Sequence, residues 1–272
     1  MRYCKYLSSE NGTFLPRYAL VEKRNGALWA TLPMQAPQED LAARTMPPLA
    51  VNFQPTLLSD LQLLPPVAPS KILCIGRNYR DHAAELGNKP PTEPLLFLKP
   101  PSSLLSPGGT IVMPKVATRV DYEGELGVVI SRRCHNIGPD DDVRLYIRGY
   151  VCVNDVTARD LQKTDGQWTR AKGFDTFCPV GPIVSDEIDP VEGAPVTVTT
   201  RVNGVVRQMG STRDMIFPIA ELLRYISSVM TLEVGDIVPT GTPAGVGAVQ
   251  PGDRIQVEVD GLGILENKFA SQ

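Results

Sequence analysis

The chain has 272 residues, with 27 basic and 30 acidic side chains and a formal net charge of -3. That length allows a substantial buried core, so core size says nothing about function. The basic residues are scattered rather than gathered into stripes able to follow a phosphate backbone, which argues against nucleic acid as a partner.

Residues 1–66 differ in texture from the rest. A hairpin is predicted from strands over 18–21 and 27–30 around Asn25-Gly26, because Asn-Gly supplies the positive φ angles of a tight turn. A Pro-rich stretch with Pro47, Pro48, Pro55, Pro65, Pro66 and Pro69 follows, so a small N-terminal domain and linker are expected over 1–66 and a main domain over 67–272. From residue 71 short strands dominate, predicted over 71–75, 95–99, 110–113, 120–131, 149–156, 196–202, 205–209, 236–239, 254–260 and 263–269. Asn203-Gly204 and Asp260-Gly261 mark two further hairpins. Helices are few. One is predicted over 218–230, with Pro218 in its first turn and Ile219, Leu222, Leu223, Ile226 and Met230 on one face, and a short one over 79–86 is stopped by Gly87. Strands and helices do not alternate regularly, so the expected class is β-rich α+β.

The apolar runs are far shorter than the ~20 residues of a membrane helix, and residues 1–10 lack the apolar centre of a signal peptide. A cytoplasmic protein that does not act at membranes is expected, although an organelle matrix looks the same at this level. Cys4, Cys74, Cys134, Cys152 and Cys178 form no CxxC pair, which predicts free thiols rather than a disulfide framework or zinc knot.

Along the predicted strand 120–131, Asp121, Glu123 and Glu125 share one face, while Tyr122, Leu126, Val128 and Ile130 share the other. Like charges there repel, and Gly124 offers no packing in return. A cation between Glu123 and Glu125 reverses that cost, and oxygen donors without nearby His or Cys favour Mg²⁺, Mn²⁺ or Ca²⁺ over zinc or copper. A solvated face of idle acids competes on even terms. Asp155 follows the mostly apolar run 150–154, where a carboxylate is costly unless paired or metal-bound. As a third ligand it leaves positions for water and substrate; as a plain cap it would serve the turn at 157–160.

Of the two histidines, His135 lies in a polar turn and receives no role. His82 stands three residues before Glu85, on one face if the segment is helical, where a carboxylate fixes the imidazole tautomer and raises its basicity. A surface His–Glu pair is the commoner outcome of such spacing. Arg77, Lys163 and Lys172 are candidates for an anionic substrate. The stretch 240–247, rich in glycine and threonine, lets backbone N–H groups approach a carboxylate but lacks the lysine of a nucleotide-binding loop.

Several segments occur together and in order: Ile75-Gly76-Arg77-Asn78-Tyr79 with His82 and Glu85, Phe97-Leu98-Lys99-Pro100, Tyr122-Glu123-Gly124-Glu125-Leu126-Gly127, Asn154-Asp155-Val156-Thr157-Ala158-Arg159-Asp160, Lys172-Gly173-Phe174-Asp175 and Thr240-Gly241-Thr242-Pro243-Ala244-Gly245. From residue 71 onward the chain resembles the fumarylacetoacetate hydrolase family, particularly its acylpyruvase and oxaloacetate-processing branch. The resemblance implies a mixed β-sandwich roll, usually a homodimer, with Mg²⁺ or Mn²⁺ at Glu123, Glu125 and Asp155. It also implies a His82–Glu85 dyad on a mobile lid, a catalytic Lys172, and substrate contacts from Arg77, Asn78, Gln162 and Thr242. Residues 1–66 resemble, weakly, the small leading domain of some members. The implied reaction is metal-dependent carbon–carbon hydrolysis of an acylpyruvate or related 2,4-dioxo acid, with water activated by His82. The same enolate-stabilising site offers alternatives: tautomerisation or decarboxylation of oxaloacetate, or isomerisation of 2-hydroxyhepta-2,4-diene-1,7-dioate. A non-catalytic small-ligand-binding protein is a further alternative, against which the intact Glu123, Glu125, Asp155 and His82 argue.

Overall fold

A computed structural model describes residues 1–10, 12–44, 53–85, 87 and 89–272. Pro47 and Pro48 of the predicted linker and Leu86 of the predicted short helix lie outside the described residues.

The expected β-rich α+β class is the architecture observed. A large sheet runs from the N-terminal strands Thr56–Leu57, Ala27–Met34, Thr13–Arg24 and Arg2–Glu10 through Cys178–Ser185, Ile147–Asn154, Gly124–Ile130, Ile237–Pro239 and Ile72–Gly76 to the edge strand Leu95–Lys99. The first hairpin turns at Asn25 and Gly26 with φ of 50° and 83°, as the dipeptide requires. Its strand Arg2–Glu10 then pairs with Cys178–Ser185 through Arg2↔Ser185 and Tyr3↔Val184, so the N-terminal strands extend the sheet of the main part. Neither of these two strands was predicted. Pro179, Gly181 and Pro182 erase the strand signature of 178–185, and 2–10 has no apolar alternation.

A second sheet of five strands, ordered Val205–Ser211, Thr197–Val202, Arg254–Val259, Gly263–Ser271 and Thr110–Met113, packs on the first. Leu126, Val128, Tyr150 and Cys152 of the large sheet meet Val198, Val257, Val259 and Leu265 of the second, and Leu222, Leu223 and Ile226 of the helix Ile219–Val229 close this core. On the other side of the large sheet Val129, Val151, Val153 and Val180 pack with Tyr3, Tyr18 and Val67. The strand Gly124–Ile130 is thus buried on both faces, as its near-continuous apolar run suits.

The predicted strand 120–131 does not run straight. It breaks at Glu123, and Val120–Tyr122 joins a separate three-stranded sheet with Thr157–Ala158 and Gly247–Ala248. Asp121 therefore leaves the face carrying Glu125, because the chain changes partners between them. All five cysteines are buried and free. Among the described residues no helix is long and apolar enough to cross a membrane.

Candidate active site

The break at Glu123 builds the site. Antiparallel pairing sets Gly124 opposite Asn154, the Asp155 N–H donates to the Glu123 carbonyl at 2.8 Å, and the Glu123 N–H donates to Asn154 Oδ1 at 3.0 Å. These bonds bring the two strand ends together, so carboxylate oxygens of Glu123, Glu125 and Asp155 lie within 4.8 Å of one another. Glu123 is 4% exposed, while Glu125 and Asp155 are each 1% exposed, which removes the solvated-face alternative.

Buried cations surround the group unequally. Lys172, closing the short helix Thr169–Lys172, donates to Glu123 Oε2 at 2.8 Å and Asp155 Oδ2 at 2.5 Å. Lys99 donates to Asp155 Oδ1 at 2.6 Å and to the Val156 carbonyl at 3.1 Å. Arg159 spans Asp121 Oδ2 at 2.9 Å, Glu123 Oε1 at 2.5 Å and Gln162 Oε1 at 2.7 Å. Burial opposes the charge of Glu123, but Lys172 and Arg159 more than offset it and hold its carboxyl well below the usual range. Burial likewise opposes the Lys172 charge, yet Asp155 and Glu123 push that ammonium up to about 12.

Glu125 differs. Burial, with Asp155 and Glu123 close by, pushes its carboxyl well above the usual range. Among the described residues the Gly241 N–H donates to it at 2.8 Å. Asp121, Glu123 and Asp155 are thus each held by cations, the buried Lys99, Arg159 and Lys172 and the more exposed Arg119 on Asp121, while among the described residues no cation donates to Glu125. An all-oxygen donor set with one carboxylate left without a cation fits a hard divalent ion.

His82 is buried on the short helix Arg80–Glu85, with Nδ1 3.4 Å from Glu85 Oε2. Burial lowers its pKa below 6.5 against the pull of Glu123 and Glu85, so the imidazole is neutral near pH 7. Glu85 is fixed in turn by the Gly245 N–H, 3.1 Å from each carboxylate oxygen. Thr242 in the same loop donates to the Gly124 carbonyl at 2.9 Å. Gln208 binds this loop to the acidic strand, donating to Thr242 Oγ1 and the Pro243 carbonyl at 2.7 Å each and accepting from the Gly124 N–H at 3.0 Å.

Arg77, His82, Glu123, Glu125, Gln162, Lys172 and Thr242 line one cleft. Asp155 contributes from among the buried lysines, and Glu85 stands behind His82. Asn78 is engaged elsewhere: its amide donates to the Phe217 and Thr240 carbonyls at 3.1 and 2.8 Å and its oxygen accepts from the Phe217 N–H at 2.8 Å, so it holds the loop carrying Thr242. Lys163 is exposed and does not line the cleft. Sequence reasoning gave no role to Lys99, Arg159, Trp168 or Gln208. Lys99 had a signal, a cation closing the apolar strand Leu95–Lys99, which is the mirror image of the case made for Asp155. Gln208, on a strand with mostly exposed neighbours, had none.

Residues 71–270 match the family model described as fumarylacetoacetate (FAA) hydrolase C-terminal. The chain is 44% identical over 224 residues to oxaloacetate tautomerase YisK of Bacillus subtilis, covering 78% of this chain and 74% of that protein. It is 44% identical over 201 residues to a mitochondrial oxaloacetate decarboxylase of Dictyostelium discoideum, covering 71% and 89%. The crystal structure of 2-hydroxyhepta-2,4-diene-1,7-dioate isomerase from Mycobacterium marinum superposes with a TM-score of 0.81 at 36% identity, covering 100% of this chain and 99% of that one. The chain is therefore an enzyme of the fumarylacetoacetate hydrolase family.

Proposed function

We propose that the enzyme interconverts the enol and keto forms of a small 2-oxo diacid, with oxaloacetate the leading candidate, and that it also decarboxylates that acid. The observation carrying this reading is the convergence of Glu123, Glu125 and Asp155 with a neutral His82 at one cleft. The names of the tautomerase, decarboxylase and isomerase relatives support it over the acylpyruvate hydrolysis expected from the sequence, which takes second place. Glu123, Glu125 and Asp155 would hold Mg²⁺ or Mn²⁺. Bound there, the ion supplies Lewis-acid stabilisation of negative charge building on a 2-oxo oxygen.

The chain's own groups do the rest. Arg159 and Lys172 offer cationic N–H donors at the carboxylate end of the substrate. His82, oriented by Glu85, takes the proton from C3 of the keto form as the C3–H electron pair moves into the C2–C3 bond and the carbonyl π pair moves onto the 2-oxo oxygen, which takes a proton from solvent to give the enol; in the reverse direction the oxygen loses its proton and His82 returns one to C3. Decarboxylation sends the C4 carboxylate out as CO₂, leaves its electron pair on C3, and needs one proton at C3 to complete the product. Thr242 and Gly241 hold the Glu125 side of the cleft through their bonds to Gly124 and Glu125. The dimer and the cytoplasmic location are carried as parts of this proposal.

The ultraviolet absorbance of enol-oxaloacetate, followed with Mg²⁺, Mn²⁺ or EDTA, tests it. Metal-dependent acceleration over the spontaneous decay is expected, and His82→Ala should slow turnover by roughly 10²–10⁴ with metal uptake unchanged by calorimetry. No acceleration with either metal overturns the reaction, and undiminished turnover of the variant overturns the role of His82. Product analysis on an acylpyruvate ranks hydrolysis beside it.

A further inference from the structure

The acidic strand loses a neighbour where the site begins. Ile237–Pro239 pairs with Gly124–Ile130 over 127–129, and once the Thr240 N–H has reached the Leu126 carbonyl at 3.0 Å the chain leaves the sheet as a loop. Gly124, between Glu123 and Glu125, therefore turns a backbone N–H and carbonyl toward a side where, among the described residues, no strand pairs with it. Buried backbone groups need partners. Side chains supply both: Gln208 Oε1 accepts from the Gly124 N–H at 3.0 Å, and the Thr242 hydroxyl donates to the Gly124 carbonyl at 2.9 Å.

The reach of Gln208 is built into the second sheet. It is the buried residue of the otherwise exposed edge strand Val205–Ser211. Thr200 pairs with Gln208 and Arg201 with Val206, so Arg207 is an extra residue, a bulge of the kind that re-aims a side chain beside an active site. The loop lies flush on this strand: a Cβ on Gly245 would fall 2.0 Å from the Arg207 carbonyl oxygen, and one on Gly210 2.5 Å from Pro243 Cβ. Both N–H groups of the Gln208 amide are spent on the loop, at 2.7 Å from Thr242 Oγ1 and 2.7 Å from the Pro243 carbonyl. Because the Thr242 hydroxyl accepts from Gln208, its single proton is committed to Gly124.

We propose that Gln208 is a positioning residue for both halves of the site: its amide fixes the Gly124 peptide, and with it the spacing of Glu123 and Glu125, while the same amide fixes the Thr242 hydroxyl at the substrate cleft. Gln208 does not itself line that cleft and acts through Gly124 and Thr242. A displacement of the loop is thereby felt at the carboxylates, and the two halves move together. The substrate half of this inference rests on the 2-oxo acid reading above, the metal half does not, and the test reads them separately.

Calorimetry measures Mn²⁺ uptake first and pyruvate binding in saturating Mn²⁺ second. Gln208→Met keeps the length of the side chain and removes all three bonds, and it should weaken Mn²⁺ uptake by about 10–100-fold, the usual result of removing a group that orients metal ligands. Gln208→Glu keeps an acceptor for the Gly124 N–H and loses both donors. It should take up Mn²⁺ no more weakly than the wild type and bind pyruvate roughly tenfold more weakly, the scale of one hydrogen bond. Thr242→Val removes the group that transmits this loss, so in its background Gln208→Glu should weaken pyruvate no further. Val259→Ala, a buried truncation in the same sheet, should lower the urea midpoint and leave Mn²⁺ uptake as it is. Unchanged Mn²⁺ uptake in Gln208→Met, an equal loss in Val259→Ala, or additive pyruvate losses in the double variant overturns the inference. Should Gln208→Met fail to fold, the cycle of Gln208→Glu with Thr242→Val decides alone. If enol-oxaloacetate is turned over while Gln208→Met binds Mn²⁺ and pyruvate like the wild type, only this inference fails. If the losses appear as expected and no 2-oxo acid is turned over, only the proposed reaction fails.

Discussion

Glu125→Gln isolates the carboxylate to which, among the described residues, no cation donates a hydrogen bond. Glu125 is 1% exposed and accepts one backbone N–H, from Gly241 at 2.8 Å. Glutamine keeps that bond, and its amide can donate to the neighbouring carboxylates. In EDTA the variant therefore gains about 1–3 kcal/mol, the usual cost of a buried group without its partner. The sign with pH follows from the raised carboxyl of Glu125. Its stabilising contribution is complete below the unfolded value of 4.5 and is lost as pH rises through the folded one, so the advantage of the variant grows upward from pH 4.5. Metal reverses the order. A ligand at 1,000 times its Kd stabilises the native state by about 4.1 kcal/mol, which the wild type gains and the variant, with two carboxylates left, largely forgoes. Thermal melts at pH 7, at about 2–4 °C per kcal/mol, should show the variant melting higher in EDTA and lower in saturating Mn²⁺. The same order in both conditions refutes the reasoning.

Lys99→Met removes a buried ammonium from Asp155 and the Val156 carbonyl. Breaking such a pair costs about 3–5 kcal/mol, tempered here because Lys172 stays on Asp155; urea unfolding should find a loss well above 1 kcal/mol. The acid limb of kcat/KM should lie below pH 6.5, since burial lowers His82, and Glu85→Gln, which removes a group opposing that shift, should move the limb further down. A limb above pH 6.5 in the wild type counts against His82 as the base. Gly124→Ala would set a Cβ 2.0 Å from Thr200 Oγ1, an overpacking worth about 1–3 kcal/mol of stability. Thr200→Ala in the same chain should restore part of the loss in urea melts.

The legible parts of the molecule were those where local chemistry and tertiary context agree. Asn25-Gly26 and Asn203-Gly204 specify their turns by backbone preference alone, and Leu222, Leu223 and Ile226 specify the buried helix face by spacing. The three clustered carboxylates were legible for a related reason: acids in apolar strands are costly enough to demand a partner. The nature of the partners was not legible. Lys99, Lys172 and Arg159 reach Asp155 and Glu123 from 17 to 56 residues away, distances at which no periodicity operates. Gly124 illustrates the limit in the other direction. The sequence shows a residue offering no packing, whereas the fold shows Thr200 of the facing sheet lying where its side chain would be. Asn78 sits inside a matching motif yet spends its amide on the Thr240 and Phe217 backbone, so motif membership alone does not reveal which side chains face the cleft.

The charge arrangement of the cleft also dictates an order of binding. Arg119, Arg159, Lys99 and Lys172 all already donate to Asp121, Glu123 or Asp155, and the raised carboxyl of Glu125 favours its neutral form without metal, so the metal-free cleft offers an anionic 2-oxo acid little positive charge that is not already engaged. A dication held by Glu123, Glu125 and Asp155 would displace that proton and add positive charge. Two unit charges 4 Å apart interact by about 4 kcal/mol at an effective dielectric constant near 20, so the added charge is enough to strengthen substrate binding markedly. Pyruvate, a monoanion, should accordingly bind at least tenfold more weakly in EDTA than in Mn²⁺, and by reciprocity pyruvate should tighten Mn²⁺ binding by the same factor. Calorimetric titrations in both orders measure both factors. Equal pyruvate affinity with and without metal would mean that Arg77, Arg159 and Lys172 alone command the anion, and the unpaired Glu125 would then have no part in recruiting it.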